Sequence, residues 1–175
     1  MAVTIAVVVL VLIGVVLAIA ASRPNEFTVQ RTARIAAPPE RIFPHIADFR
    51  RWEAWSPWER MDPAMRKTFS GSPSGQGSVY EWEGNSKVGK GRMEMTDVTP
   101  PHSATVKLDF IKPFEAHNTT RFTLEPATDG TEVKWTMSGP SPFVTKVMGV
   151  FFNMEQMVGR DFERGLASLK TVSES

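Results

Sequence analysis

Histidine and cysteine are the residues that most often ligate transition metals or act in catalysis, and this chain has three histidines and no cysteine. His45, His102 and His117 are 57 and 15 residues apart, spacings that match no known metal-binding motif. We therefore predict no metal site, no cofactor and no thiol nucleophile. Each histidine is expected at the surface or in an ordinary hydrogen bond.

The sequence also contains no clear candidate side chain for acid–base or nucleophilic catalysis. Ser56 lacks the flanking glycines of a nucleophile elbow. Glu81, Glu83, Glu94 and Asp109 fall on the polar positions of alternating segments, whereas a general base that works near neutral pH needs burial to raise its pKa. No catalytic residue is predicted, and binding is favoured over catalysis.

The apolar residues are of types that suit the wall of a cavity. After residue 21 there are only four Leu and four Ile, against eleven Phe, eight Met and five Trp. Methionine adapts to irregular spaces and aromatic rings form rigid walls, which is typical of a ligand-binding lining. Ordinary core packing is the alternative.

The candidate ligand-binding residues lie on or beside the apolar faces of the predicted elements. They are Trp55, Trp58, Tyr80, Trp82, Met93, Met95, Phe122, Trp135, Phe151, Asn153 and Met154. The two tryptophans beside Pro57 form either a lid edge or a plug that holds an insertion to the sheet. Asn153 either orients a carbonyl of the ligand or faces solvent.

The elements that must position these residues are mostly strands. Apolar and polar residues alternate from Phe27 to Ile35 and again in short runs between about residues 66 and 140. Short turn clusters separate these runs, so the strands must be antiparallel, because a parallel crossover needs a dozen or more residues. A short helix is predicted over about 39–48, with Pro39 in its first turn.

One face of this sheet is apolar and needs a cover. The C-terminal segment supplies it, because apolar residues recur at helical spacing from Phe143 through Val158 and Phe162 to Leu169. We expect one long amphipathic helix over this whole segment. The predicted class is α+β, with a curved antiparallel sheet of about seven strands wrapped on the C-terminal helix.

The N-terminal segment is apolar from Val3 to Ala21 apart from Thr4 and Gly14, long enough to cross a bilayer core. No basic residue precedes it, unlike a secretory signal, so an uncleaved anchor over 1–22 is predicted, followed by a domain over 23–175. A cleaved signal, and hence export, is the alternative. Arg23, Arg31 and Arg34 follow the span, so the positive-inside rule places the domain in the cytoplasm.

Several motifs, in their order along the chain, resemble a known superfamily. They are Ala37-Pro38-Pro39-Glu40-Arg41-Ile42-Phe43, Asp48 with Trp52, Trp55-Ser56-Pro57-Trp58-Glu59, and the segment from Met157 to Lys170. Over about residues 25–171 the chain resembles the SRPBCC or START-like superfamily, most closely its polyketide cyclase/dehydrase-like branch. The resemblance implies the helix-grip fold, in which a curved sheet wraps the last helix and leaves a deep apolar cavity.

Three functions are compatible with these features. The first is membrane-anchored binding of a hydrophobic small molecule or lipid-like ligand in the cavity. The second, which the resemblance suggests, is a cyclase or dehydratase acting on a polyketide or aromatic substrate. The third is a ligand-free interaction module whose protein partner the sequence does not specify. A formal net charge of only +1 excludes a highly basic nucleic-acid binder.

Overall fold

The computed structural model describes all 175 residues as four helices, two 3₁₀ turns and seven strands. In chain order these are α1 (Ala2–Ser22), β1 (Glu26–Ile35), α2 (Pro39–Ala47), the 3₁₀ turns Phe49–Ala54 and Pro57–Arg60, β2 (Arg66–Gly71), β3 (Ser78–Glu83), β4 (Lys90–Thr99), β5 (Ser103–Lys112), β6 (Ala116–Ala127), β7 (Gly130–Pro140), α3 (Phe143–Phe151) and α4 (Met154–Glu174).

The seven strands form a single antiparallel sheet in the order β1-β7-β6-β5-β4-β3-β2. Strands β2 to β7 are joined consecutively by short turns, and β1 pairs with β7 over its whole length. The α+β class, the strand count and the antiparallel meander predicted from the alternation are confirmed.

The two ends of the sheet differ in what they carry. Neighbouring strands are antiparallel. One end of the sheet therefore holds the first residues of β1, β4 and β6 and the last residues of β3, β5 and β7. Helix α1, the predicted anchor, leads into the start of β1, so we call this the anchor-proximal end and the opposite one the distal end. The β3–β4 and β5–β6 turns lie at the anchor-proximal end, and α3 follows directly from it.

The C-terminal cover is two helices and not one, which corrects the prediction. Helix α3 ends at Phe151, and Asn153 caps a new helix by accepting a hydrogen bond from the backbone N–H of Gln156 at 3.0 Å. Of these two helices, only α4 packs on the sheet, through buried residues that include Phe162, Leu166 and Leu169. Helix α3 packs against α1 instead.

Glycine allows α4 to approach the sheet closely. A Cβ at Gly165 would lie 2.8 Å from Cζ3 of Trp135 and 3.2 Å from Cδ of Pro57. With no side chain at this position, the ring of Phe162 stacks on Trp135 with centroids 4.1 Å apart. This close contact fixes the position of α4 over the sheet.

Candidate functional site

A cavity of about 210 Å³ lies between the sheet, the second and third turns of α4 and the two 3₁₀ turns. Of its 18 lining residues 13 are hydrophobic. Strands β3 to β7 all contribute to the wall, and Lys87 and Val88 line it from the β3–β4 turn at the anchor-proximal end.

Aromatic rings build much of the wall. Trp58, from the second 3₁₀ turn, stands edge-on to Trp135 with centroids 5.8 Å apart and edge-on to Phe162 with centroids 6.3 Å apart. Such geometry places the positive ring edge against the negative ring face, which is a favourable arrangement. The three rings connect the 3₁₀ turn, β7 and α4 into one side of the cavity.

Glycine also shapes the wall at β4. A Cβ at Gly91 would collide with the indole of Trp82, which occupies the space that a side chain at this position of β4 would fill. The indole Nε1 donates to the carbonyl oxygen of Val88 at 2.9 Å. Gly91 thus serves local packing around an indole.

Five of the eleven predicted ligand-binding residues line the cavity. They are Trp58, Tyr80, Trp82, Met93 and Trp135. All five lie on the second 3₁₀ turn or on the concave face of β3, β4 and β7. Their role in binding a ligand stays a prediction, and the structure brings them together.

Three more of the predicted residues lie in the core away from the lining. Met95 and Phe122 are fully buried, and Trp55 is 1% exposed. The indole Nε1 of Trp55 donates to the carbonyl oxygen of His45 at 2.9 Å, so this ring fastens the 3₁₀ segment to α2. Of the two alternatives given above for the tryptophan pair, Trp55 fits the plug.

The last three predicted residues are outside the cavity. Phe151 is 67% exposed at the end of α3, and Met154 is 48% exposed in the first turn of α4. Asn153 caps α4 at the surface and does not point its amide to the lining. The sequence-based prediction assigned these three residues to the cavity lining because it assumed one continuous C-terminal helix.

The cavity contains a charged group that the sequence did not indicate. Glu59 belongs to the lining, and its side chain is only 6% exposed. Its Oε1 accepts a hydrogen bond from the Tyr80 hydroxyl at 2.7 Å, and the Nζ of Lys67 is 2.5 Å from its Oε2. A buried carboxylate is costly unless it is paired. Here Oε1 has a hydrogen bond, while Oε2 has the ion pair with Lys67 but accepts no hydrogen bond.

Glu59 escaped prediction because it lies in a 3₁₀ turn, where neither strand nor helix periodicity assigns a face. Lys67 gave a partial signal. It pairs with Trp82 across β2 and β3 and therefore lies on the same, apolar face of the sheet. A lysine on that face requires an anionic partner.

The chemistry of this polar group is that of a hydrogen-bond and charge anchor. Burial, together with the hydrogen bond to Glu59, raises the pKa of Tyr80 far above its ordinary value. The phenol therefore keeps its proton at neutral pH and donates it in a hydrogen bond, and it is a weaker general acid than free tyrosine. Lys67 balances the charge of the Glu59 carboxylate.

The indole of Trp135 is a second polar feature of the lining. Its Nε1–H is buried and has no acceptor within the protein. A buried donor without a partner costs free energy, which an acceptor atom of a bound molecule would relieve. Asp161 also lines the cavity, with Oδ1 3.3 Å from Nη1 of Arg164.

None of the three histidines belongs to the lining. Burial and the charge of Arg51 lower the pKa of His45, whose Nδ1 is buried without a partner. His117 forms an exposed pair with Asp109 on the outer surface of the sheet. No cluster of three or more metal-ligating side chains is present.

A curved antiparallel sheet that grips a C-terminal helix and encloses an apolar cavity defines a helix-grip protein. Residues 26–174 match the family described as polyketide cyclase/dehydrase and lipid transport. The chain belongs to this family.

Solved structures show the same fold at low identity. A protein from Chromobacterium violaceum is 16% identical, with a TM-score of 0.60, over 87% of this chain and 99% of its own. A protein from Mycobacterium smegmatis is 23% identical, with a TM-score of 0.53, over 84% and 88%. The di-domain aromatase/cyclase StfQ of the steffimycin biosynthetic pathway is 12% identical, with a TM-score of 0.63, over 85% of this chain and 51% of its own.

No curated protein matches the chain significantly.

Proposed function

We propose that the chain is a membrane-anchored protein that binds a hydrophobic small molecule or lipid-like ligand in its helix-grip cavity. The observation that carries the proposal is the cavity of about 210 Å³ with its predominantly hydrophobic lining. The family description, which includes lipid transport, supports the same function.

The volume limits the size of the guest. An apolar cavity of about 150 Å³ is large enough for benzene, whereas pockets for drug-sized ligands start at about 300 Å³. The volume of this cavity lies between these two values, so the cavity accepts one ring with short substituents or a short acyl segment. The ligand is then amphipathic, with its polar group near the paired Glu59 and Lys67.

The anchor is the second part of the proposal. Helix α1 has 21 residues, a mean hydropathy of 3.3 over its most apolar window and no buried residue in that window. At about 1.5 Å per residue it rises about 32 Å, which matches the hydrocarbon core of a bilayer. It is the one helix of the chain that is long and apolar enough to cross a membrane.

We place the domain in the cytoplasm, on the basis of the basic residues that follow the span. Arg31 bears less on this orientation than Arg23, because its guanidinium is held by Glu155 and Glu163 at 2.7 Å each. Export after cleavage of 1–22 is the alternative placement.

The binding function is tested by native mass spectrometry of the full chain released from detergent micelles. We expect an apolar molecule bound to the wild-type protein and lost from Val158→Trp, because Val158 lines the cavity and an indole there fills it. Ala167→Trp is the matched control, since Ala167 is exposed on the same helix and is not part of the lining. A wild-type chain free of any bound molecule, or equal retention by both variants, would overturn the proposal.

A cyclase or dehydratase remains the second candidate, because Glu59 is a carboxylate inside the cavity beside a phenol. StfQ, which has the same fold, is described as an aromatase/cyclase. Turnover of an aromatic polyketide substrate that disappears in Glu59→Gln, while ligand retention persists, would favour the enzyme.

The same measurements distinguish the other two functions. A binding protein retains its ligand without any turnover. A rigid interior that excludes every apolar probe indicates the ligand-free interaction module.

A further inference from the structure

The anchor-proximal end of the domain carries all of its large exposed apolar side chains. Within residues 23–175 there are ten of these, and seven lie between Phe143 and Met157, in α3, its junction with α4 and the first turn of α4. Ile111 and Phe114 are at the β5–β6 turn of the same end. Scattered exposed apolar residues need no explanation, but concentration at one end of a domain does.

The tenth residue, Met61, also belongs to this end. It precedes Asp62, whose Oδ2 accepts a hydrogen bond from the backbone N–H of Asn85 in the β3–β4 turn at 2.7 Å. The loops of the distal end contain no large exposed apolar side chain. The apolar surface is therefore confined to the end from which α1 emerges.

Helix α3 is fixed to the base of α1 by polar contacts as well as by packing. The Nζ of Lys146, on the buried side of α3, donates to Oδ1 of Asn25 at 2.6 Å. The backbone N–H of Ser141 donates to the carbonyl oxygen of the same asparagine at 2.7 Å. These contacts leave Phe143, Val144 and Phe151 exposed.

The contact with α1 shows how deep α3 would lie in a bilayer. Along α1, Ala20 is fully buried and Val16 is half-buried, while the other residues are exposed. Val16 is six residues before Ser22, which corresponds to about 9 Å along the helix axis. Interfacial helices insert their apolar faces to about 5–10 Å, so with Ser22 at the membrane surface α3 reaches the depth typical of such a helix.

We propose that α3, the first turn of α4 and the β5–β6 turn form a surface that inserts into the interfacial layer of the bilayer. The proposal rests on the proposed anchoring by α1. The partner is the lipid bilayer itself, because the surface is continuous with the membrane span and is exposed on the side from which the span leaves the domain.

This docking gives the cavity a membrane entrance. Lys87 and Val88, which line the cavity, lie in a turn of the same end, and Val158 follows Met157 directly on α4. An apolar ligand then moves between the acyl chains and the cavity without crossing water. The inserted surface and the cavity thus act together.

Fluorescence quenching by lipids tests the docking, and the absence of native cysteine permits clean single-cysteine labelling of the full chain. Phe151→Cys and Phe114→Cys probe the surface, Leu12→Cys reports on the span, and Thr128→Cys reports on the distal end. Each position is exposed, so the substitutions spare the core. Each variant carries an environment-sensitive dye and is placed in phosphatidylcholine vesicles with brominated or ordinary acyl chains.

Brominated lipid is expected to quench the dye at positions 12, 114 and 151 and to leave position 128 unaffected. Quenching at position 12 without quenching at positions 114 and 151 would overturn the proposed insertion of the surface and leave the proposed anchoring by α1 intact. Concentration-dependent energy transfer between dyes at 151, without lipid quenching, would show that the surface binds a second copy of the chain. This result would also overturn the proposed membrane insertion. Absence of quenching at 12 would refute both the anchor and the docking, while ligand retention in native mass spectrometry would still report separately on the cavity.

Discussion

At the scale of single residues, the chemistry of the cavity depends on one hydrogen-bonded set. Glu59 is neutralised by Lys67 and accepts a hydrogen bond from Tyr80, and the ring of Phe69 stacks on Tyr80 with centroids 5.1 Å apart. The phenol therefore has its ring held by the core and its hydroxyl committed to a carboxylate. This arrangement holds Glu59 in place at the edge of an apolar space.

Tyr80→Phe removes the hydroxyl and leaves the ring in position. We expect a loss of about 1.5–3 kcal/mol in the free energy of unfolding, because a hydrogen bond to a charged acceptor contributes about that much. Urea unfolding of the full chain in detergent measures it. Thr136→Val is the control, because it removes only a surface hydroxyl whose bond to Gln30 is 3.3 Å long, and it should change stability little. Equal effects of the two substitutions would contradict this role of Tyr80.

A second residue-scale prediction concerns pH. The Nδ1 of His117 is 2.7 Å from Oδ1 of Asp109, and this hydrogen bond raises the pKa of His117. Burial of Asp109 favours its neutral form, but the hydrogen bonds from His117 and Lys107 outweigh it and lower the pKa of Asp109. The pair is therefore charged in mildly acidic solution.

The pKa of His117 is higher in the folded state than in the unfolded state. The stabilisation by the charged His117–Asp109 pair is therefore complete below about pH 6.5 and disappears as pH rises through the folded-state pKa. His117→Asn should thus lower the urea midpoint in mildly acidic buffer and change it much less in alkaline buffer. His102→Asn, at another exposed position, is the control. A loss that does not vary with pH would show that the pair contributes no charge interaction.

At the scale of elements, the strands were predictable and the helix break was missed. Alternation fixes the face of each residue in a strand, so the concave positions of Tyr80, Met93 and Trp135 followed from period two alone. The break after Phe151 was missed because the apolar spacing continues across it. The signal was Asn153 followed three residues later by Gln156, a pattern that starts a helix.

The cavity was only partly predictable for a related reason. Periodicity tells which face a side chain occupies but not whether the space beyond that face is filled. Met95 and Phe122 are therefore in the packed core although they share the concave face with the lining residues. The position of Glu59 depends on tertiary contacts of a 3₁₀ turn, which no local pattern encodes.

The position of α4 provides an element-scale prediction from two glycines on one helix. Gly165→Ala should destabilise the chain by about 1–2 kcal/mol, because overpacking against Trp135 costs about 1–3 kcal/mol and the gain in helix propensity returns about 1 kcal/mol or less. Gly159→Ala is the matched control. There the new methyl group meets only the guanidinium of Arg31, the end of a long side chain whose ion pairs with Glu155 and Glu163 lie at the surface. Surface ion pairs contribute little, and the gain in helix propensity of about 1 kcal/mol offsets their displacement, so the net effect should be small. Urea unfolding compares the two, and the reverse order would contradict the close approach at Gly165.

At the scale of the whole molecule, the chain is polarised along one axis. Helix α1, the exposed apolar surface and the cavity-lining β3–β4 turn are all at the anchor-proximal end. The sequence predicted the span from its composition, but the apolar surface became evident only when strand register brought distant turns to one end of the sheet.

Retention of α1 as an anchor is the prediction that the whole-molecule proposal requires. Leu12 is at the middle of α1, where an arginine costs about 2.5–3.5 kcal/mol of insertion free energy, or about a hundredfold in the insertion equilibrium. Leu12→Arg should therefore increase the share of the chain that alkali extracts from the membrane pellet into the supernatant, while Leu12→Phe should stay in the pellet. Intact mass of the pelleted wild-type protein should include residues 1–22. A wild-type protein that is soluble and lacks these residues would show that α1 is a cleaved signal, and the domain would then reach its ligand without a tether.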